Sequence, residues 1–325
     1  MRLILVLGTL FAAIACSSVR SAPAEKIEAT PARLARGAYL ADHVLNCMHC
    51  HSEGDPNVWG MPPKAGTAGT GGNCWDESGG FPGHVCASNL TPDPDTGLGR
   101  WTDGEILRAI REGVSRNGEP LVAIMPYFAY RSLSDEDARA VVTYLRTLPA
   151  VRREIPPRRL DLPESQLVNV DPRPLQGPVT APDPKDAVAY GRYLATVASC
   201  LECHTPLDGH YQPIPGREFA GGREFPLPGG AVVRSPNITP HQTGLGEMDR
   251  KSFIRRFKTW AEADVGLLAA NVAPDRNSAM GWVAESGMTE EDLGAIHAFL
   301  QTVRQVDNRV RVWPRSPQTA GAPER

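Results

Sequence analysis

The sequence predicts a mostly α-helical protein built from two tandem, homologous modules with short β-hairpin or loop insertions. Three observations carry this. A five-residue pattern, Cys47-Met48-His49-Cys50-His51, recurs as Cys200-Leu201-Glu202-Cys203-His204. The sequence around it recurs in the same order, so the chain is an internal repeat. In both copies, apolar residues at helical spacing follow good N-cap residues, which marks amphipathic helices. At 325 residues the chain has room for two cores of ordinary domain size.

Taken in order, residues 1–24 read as an export signal. Arg2 precedes an apolar run from Leu3 to Ala15 that is too short to span a bilayer. Cys16 follows Ala13-Ile14-Ala15, resembling a lipoprotein signal, so lipidation at Cys16 is one expectation; cleavage after Ala22 or Ala24 is the other. Module one is expected over 31–150. Gly37-Ala38-Tyr39-Leu40 matches Gly191-Arg192-Tyr193-Leu194, an N-terminal helix in each copy, with one residue of slack before the cysteines. Asn89-Leu90-Thr91-Pro92 matches Asn237-Ile238-Thr239-Pro240, and both lead to Thr-Gly-Leu-Gly. Each Asn-x-Thr reads as an Asx-type turn or as a loop-shaping, cofactor-contacting element. Next comes a helix capped by Thr102 in a capping box with Glu105, facing inward through Ile106, Leu107 and Ile110. Its counterpart is capped by Asp249 and presents Phe253, Ile254 and Phe257. The last block aligns without a gap from Met125 to Leu148 against Met280 to Val303, with Ser134 and Thr289 as helix caps. Residues 151–185 read as a proline-rich linker, 186–306 as module two, and 307–325 as a disordered tail.

Two cysteines three positions apart on one helical turn can each add to a haem vinyl group, while the adjacent histidine becomes the proximal iron ligand. Two copies in parallel contexts therefore predict two covalently bound haem c groups, attached at Cys47 and Cys50 and at Cys200 and Cys203, with His51 and His204 on the irons. A zinc site is the alternative for four cysteines, but zinc sites need no distant methionines. Glycine (31) and proline (30) are abundant and aromatics are only 6%, as expected where porphyrin supplies much of the apolar core.

The sixth ligand decides the chemistry, because a closed six-coordinate iron transfers electrons whereas an open one activates small molecules. Met125, in Ile124-Met125-Pro126-Tyr127, and the aligned Met280 are the candidates. Met280 is followed by Gly281 in place of proline and preceded by a longer loop. Met61, Met248 and Met288 read as packing residues. His210 and His241 are the fallback ligands, His43, His84 and His297 are structural, and His49 is an exposed motif filler. Counted from the shared Gly-Gly and asparagines, Cys74 and Cys86 stand opposite Glu224 and Arg234. A disulfide in module one is expected where module two has an ion pair; two free thiols are the alternative.

The formal net charge is −3 with no basic run, so the electrostatic footprint of a nucleic-acid binder is absent. An export signal and CxxCH motifs both suit an oxidising compartment outside the cytoplasm, and the periplasm is expected.

The run Tyr-Leu, CxxCH, Asn-Leu-Thr-Pro-Asp, Thr-Gly-Leu-Gly-Arg-Trp, Met-Pro-Tyr, Leu-Ser-Asp-Glu-Asp, from Tyr39 to Asp137, resembles class I cytochrome c modules of the cytochrome subunits of bacterial alcohol and gluconate dehydrogenases. The resemblance implies two tandem class I cytochrome c domains and transfer of electrons from a periplasmic dehydrogenase donor to a respiratory acceptor, without catalysis by the chain itself. Those subunits commonly carry three modules, and this chain carries two. The alternative is a dihaem enzyme, a peroxidase or a thiosulfate-oxidising type, with one open haem.

Overall fold

The computed structural model describes residues 25–161, 173–209, 212–227, 230–270, 272–273 and 276–314. The expected export signal, Cys16 and His210 lie outside them. The fold is mostly helical with two small antiparallel sheets. No helix among the described residues is long and apolar enough to cross a membrane.

Helix α1 (Pro31–Tyr39) starts where Thr30 accepts from the Arg33 N–H and Pro31 takes the first turn, a position whose N–H would be orphaned anyway. The chain then makes one π-helical turn, Leu40–Val44, closed by the Leu45 N–H on the Leu40 carbonyl at 2.8 Å. This turn absorbs the residue of slack between the copies. In module two, helix α6 (Ala187–Val197) has no such insertion, and the Ala198 N–H bonds Leu194 in ordinary α register.

Module one continues with α2 (Cys47–Cys50), the hairpin β1 (Cys74–Trp75) and β2 (Gly83–Cys86), α3 (Asp103–Glu112), α4 (Tyr127–Tyr130) and α5 (Asp135–Leu145). Strand β3 (Arg159–Leu160), from the proline-rich segment, adds to β2. Module two repeats the order with α7 (Cys200–Cys203), β4 (Glu224–Pro226), β5 (Val232–Arg234), α8 (Arg250–Lys258), an additional α9 (Val265–Ala270), α10 (Trp282–Glu285) and α11 (Glu290–Leu300). The caps form as the sequence suggests. Thr102 and Glu105 make a reciprocal capping box, and Ser134, Thr289 and Asp249 each accept a first-turn N–H.

Within each module the first helix packs on the last, α1 on α5 and α6 on α11. A glycine sits at each crossing. A Cβ on Gly37 would lie 1.9 Å from the Ala140 carbonyl oxygen, and one on Gly191 the same distance from that of Ala295. Backbone cannot retreat as a side chain can. Gly37→Ala and Gly191→Ala are therefore each expected to destabilise the fold by at least about 1–3 kcal/mol, read as a lowered denaturant midpoint.

The modules meet through a pair of exchanged contacts. Tyr39 donates to Asp292 Oδ2 (2.6 Å) and accepts from the Thr289 N–H (3.2 Å). In reverse, Tyr193 donates to Asp137 Oδ2 (2.6 Å) and accepts from the Ser134 N–H (3.2 Å). Each module's first helix thus helps to cap the other's last. Burial, together with these carboxylate acceptors, pushes both phenols well above their ordinary range and keeps them donors. The apolar core runs without interruption from Leu40 and Val141 to Leu194 and Leu300.

The tail departs from expectation over 307–314, which is held rather than disordered. The Asn308 N–H donates to Thr243 Oγ1 (3.0 Å), Val312 accepts from the Arg234 N–H (2.8 Å), and the Trp313 indole donates to the Asn277 carbonyl (3.0 Å). Polar composition concealed these backbone partners.

Candidate functional site

Both motif turns start from a left-handed residue, Asn46 (φ 55°) before α2 and Ser199 (φ 57°) before α7. Asparagine tolerates that conformation; serine is less usual there. The short helices place the two cysteines of each motif one turn apart, and the following histidine is the C-cap. His51 Nδ1 lies 2.7 Å from the Ser88 carbonyl oxygen and His204 Nδ1 lies 2.8 Å from that of Pro236. A carbonyl only accepts, so Nδ1 bears the proton and Nε2 keeps its lone pair for a metal. Burial pushes both imidazoles below their ordinary value, which holds them neutral.

The Asn-x-Thr loops follow immediately on those carbonyls and act in both expected senses. Asn89 Oδ1 accepts from the Thr91 N–H (2.9 Å) in an Asx turn, and its Nδ2 donates to the Val151 carbonyl (2.8 Å). Asn237 does the same with Thr239 (2.9 Å) and Val306 (2.8 Å). Each asparagine clamps the chain leaving the last helix beside the histidine's acceptor. Trp101 packs at the core edge.

All four motif cysteines are free. Burial pushes Cys47 up to about 12 and Cys50 up to about 11, so these are thiols rather than thiolates. They do not converge as zinc ligands would. Among the described residues the convergent donor set is Cys74, His84 and Cys86, and its two cysteines are consumed in a disulfide. A turn of two thiols, then an imidazole whose Nδ1 is tied and whose Nε2 is free, fits a covalently attached haem at each motif.

Met125 and Met280 both lie half-buried against the core that also meets Cys47 and Cys200. Their turns match: the Tyr127 N–H bonds the Met125 carbonyl (2.8 Å) and the Trp282 N–H bonds that of Met280 (2.9 Å). Pro126 (φ −81°, ψ 50°) and Gly281 (φ −76°, ψ 52°) share one conformation, so the loss of proline leaves the backbone path intact. The longer loop before Met280 leans on module one. The Gly60 N–H donates to Asn277 Oδ1 (3.0 Å), and Trp59 stacks on Trp260 with ring centroids 5.8 Å apart.

The competing residues are engaged elsewhere. Met48 and Met288 are core, and Met61 and Met248 pack at core edges. His241 Nδ1 is 2.9 Å from Thr243 Oγ1, His43 Nδ1 is 2.7 Å from the Ala284 carbonyl, and His297 Nε2 is 2.9 Å from that of Met248. His84 sits beside the disulfide. One expectation fails: His49 is half-buried, not exposed, and lies against Gly281, whose Cβ would come within 3.6 Å of its Nδ1. Module two covers it, which repeat alignment alone cannot reveal.

Cys74 and Cys86 pair in register and are joined by a disulfide, and at the equivalent register Glu224 faces Arg234 in an ion pair of 2.7 Å. Alkylation without reductant should leave both cysteines unmodified, as read by intact mass; reduction should remove up to about 3 kcal/mol, the loop-closure scale for a ring this short.

Sequence reasoning missed Glu285. The ungapped alignment sets it against Tyr130, so a carboxylate at the end of Trp-Val-Ala-Glu was a visible signal. Tyr130 donates to the Leu45 carbonyl within module one (2.7 Å), whereas Glu285 reaches across to accept from Asn46 Nδ2 (3.0 Å). The two motifs are themselves close enough for Cys50 to act electrostatically on Cys203.

Residues 32–145 match a family model described as cytochrome c oxidase, cbb3-type, subunit III. The chain is 30% identical to a dihaem cytochrome c-type protein of Cereibacter sphaeroides over 69% of its own length and 73% of that protein's. It is 28% identical to the gluconate 2-dehydrogenase cytochrome c subunit of Pantoea cypripedii, over 98% of this chain and 68% of that one. A 181-residue stretch is 34% identical to part of a nicotinate dehydrogenase of Pseudomonas putida, but it spans only 14% of that protein chain.

Proposed function

This chain belongs to the c-type cytochromes, and we propose that within them it is a dihaem electron carrier of the periplasm. It takes electrons from a dehydrogenase-type donor and passes them to a respiratory acceptor. Relatives that are cytochrome c subunits of dehydrogenases support the donor class. Whether Cys16 anchors the protein through a lipid belongs to the same proposal.

The observation that carries the reading is the duplication of a complete ligand set. Each module has a CxxC turn, a histidine whose Nδ1 is held by a backbone carbonyl, and a methionine in the same turn. When bound, each haem supplies an iron that accepts and returns one electron. His51 and His204 present neutral Nε2 donors, and the tied Nδ1–H keeps the rings from turning away. Met125 and Met280 supply thioethers, which favour the ferrous state and raise the potential.

The test is the near-infrared absorption of the oxidised, haem-loaded protein. One methionine-to-ferric-iron band per haem, at two equivalents per chain, supports a carrier with both irons closed. One equivalent or none, with high-spin signal or reactivity towards peroxide, would move the assignment to a dihaem enzyme.

A further inference from the structure

Between the two attachment motifs lies a buried amide facing a buried acid, one from each module. Asn46, which opens the first CxxC turn, donates through Nδ2 to Glu285 Oε1 at 3.0 Å. The other oxygen of each side chain, Asn46 Oδ1 and Glu285 Oε2, is buried with no hydrogen-bond partner. Among the described residues Glu285 has no ion pair. Two orphaned acceptors cannot satisfy each other, and leaving them so is costly. A single proton on Oε2 supplies the missing donor and turns the contact into a reciprocal amide–acid pair.

We propose that Glu285 and Asn46 form a proton-binding site between the two haems, and that its occupancy rises when the haems are reduced. The inference rests on the dihaem reading above. Position argues for the coupling: Glu285 acts electrostatically on both Cys200 and Cys203, and its amide partner adjoins Cys47. Each electron arriving at either motif adds negative charge beside a poorly solvated carboxylate, where charges interact strongly. The balance is simple. An external one-electron donor reduces ferric to ferrous iron, a solvent proton forms the Oε2–H bond, and reoxidation releases both.

The surrounding titratable groups leave this assignment intact. His43 bonds the Ala284 carbonyl, and the Lys258 ammonium is held by the carbonyls of Ser286 and Met288. Arg256 lies over the Trp282 ring. His49 is driven towards neutrality by burial. Glu202 of the second motif is a further carboxylate pushed upward by burial and relieved by Arg223. Tyr130, near both motifs, is pushed far up by burial and stays a donor. Burial, opposed by the Asn46 hydrogen bond, raises the Glu285 carboxyl to about 7, so it titrates in the neutral range.

The decisive experiment is spectroelectrochemical titration of the haem-loaded protein across the neutral pH range, with reduced-minus-oxidised infrared spectra. At least one haem potential should fall as pH rises, by at most about 59 mV per tenfold change in proton activity for one electron. Reduction should produce a protonated-carboxyl band. Glu285→Gln should flatten the slope and abolish the band while haem content stays the same. Asn46→Ser, which places the residue found at the equivalent Ser199 position, removes the amide donor to the carboxylate and should move the sloping region to higher pH. Flat potentials in a protein with two His/Met haems overturn this inference and leave the carrier reading standing, as does a slope that survives both substitutions unchanged. A chain holding one haem overturns both.

Discussion

Replacing Cys200 and Cys203 by alanine is expected to halve the haem content, from two per chain to one, measured as pyridine haemochrome against protein mass. Cys47→Ala with Cys50→Ala should give the complementary half. The thioether bonds are the covalent part of each site, and without them His204 or His51 holds only a dissociable group. The two losses should not be equivalent in stability. Module one retains the disulfide between Cys74 and Cys86, whereas the matching hairpin of module two has only the exposed ion pair of Arg234 and Glu224, a class of contact worth about 1 kcal/mol or less. The chain lacking haem in module two should therefore show the larger fall in denaturant midpoint. Full retention of both haems in either variant would remove the basis of the assignment.

The second large effect is expected at the methionines. Met125→Ala should abolish one equivalent of the near-infrared band, render that haem high-spin and open it to carbon monoxide, and lower its potential. The fall should be on the order of 0.1 V or more, within the roughly 0.8 V that axial ligands command, because the thioether favours ferrous iron. Met280→Ala should do the same to the second haem. Since Pro126 and Gly281 share one backbone conformation, the wild-type potentials should not differ on account of turn geometry; a difference would report the surroundings, of which Glu285 beside the second motif is the plainest. A band that survives Met125→Ala would hand the sixth position to another residue.

Much of this architecture is local, and local features are legible from residues alone. Thr102 with Glu105, Ser134, Thr289 and Asp249 cap helices because each satisfies N–H groups within three residues of itself. The one-residue slack before Cys47 is visible in the alignment, though only the backbone reveals that it is taken up as a π turn. Cys74 with Cys86, and Glu224 with Arg234, could be set opposite each other because hairpin register follows from counting between shared landmarks. Polar composition misled over 307–314, where backbone carbonyls and the indole of Trp313, rather than any apolar pattern, hold the chain.

The repeat, the two attachment turns and the matched methionines are fixed by the order of the residues, because each rests on groups held together by a helix turn or a constant spacing. How the copies face each other is a property of the folded chain. The exchange of Tyr39 and Tyr193 joins residues up to 253 positions apart, and Asn46 meets Glu285 across 239. Such contacts leave no periodicity in the chain. They depend on the angle at which two helix pairs cross, which is set by glycines at closest approach and by the shape of a shared core, and a buried acid beside a buried amide emerges only once that angle is set.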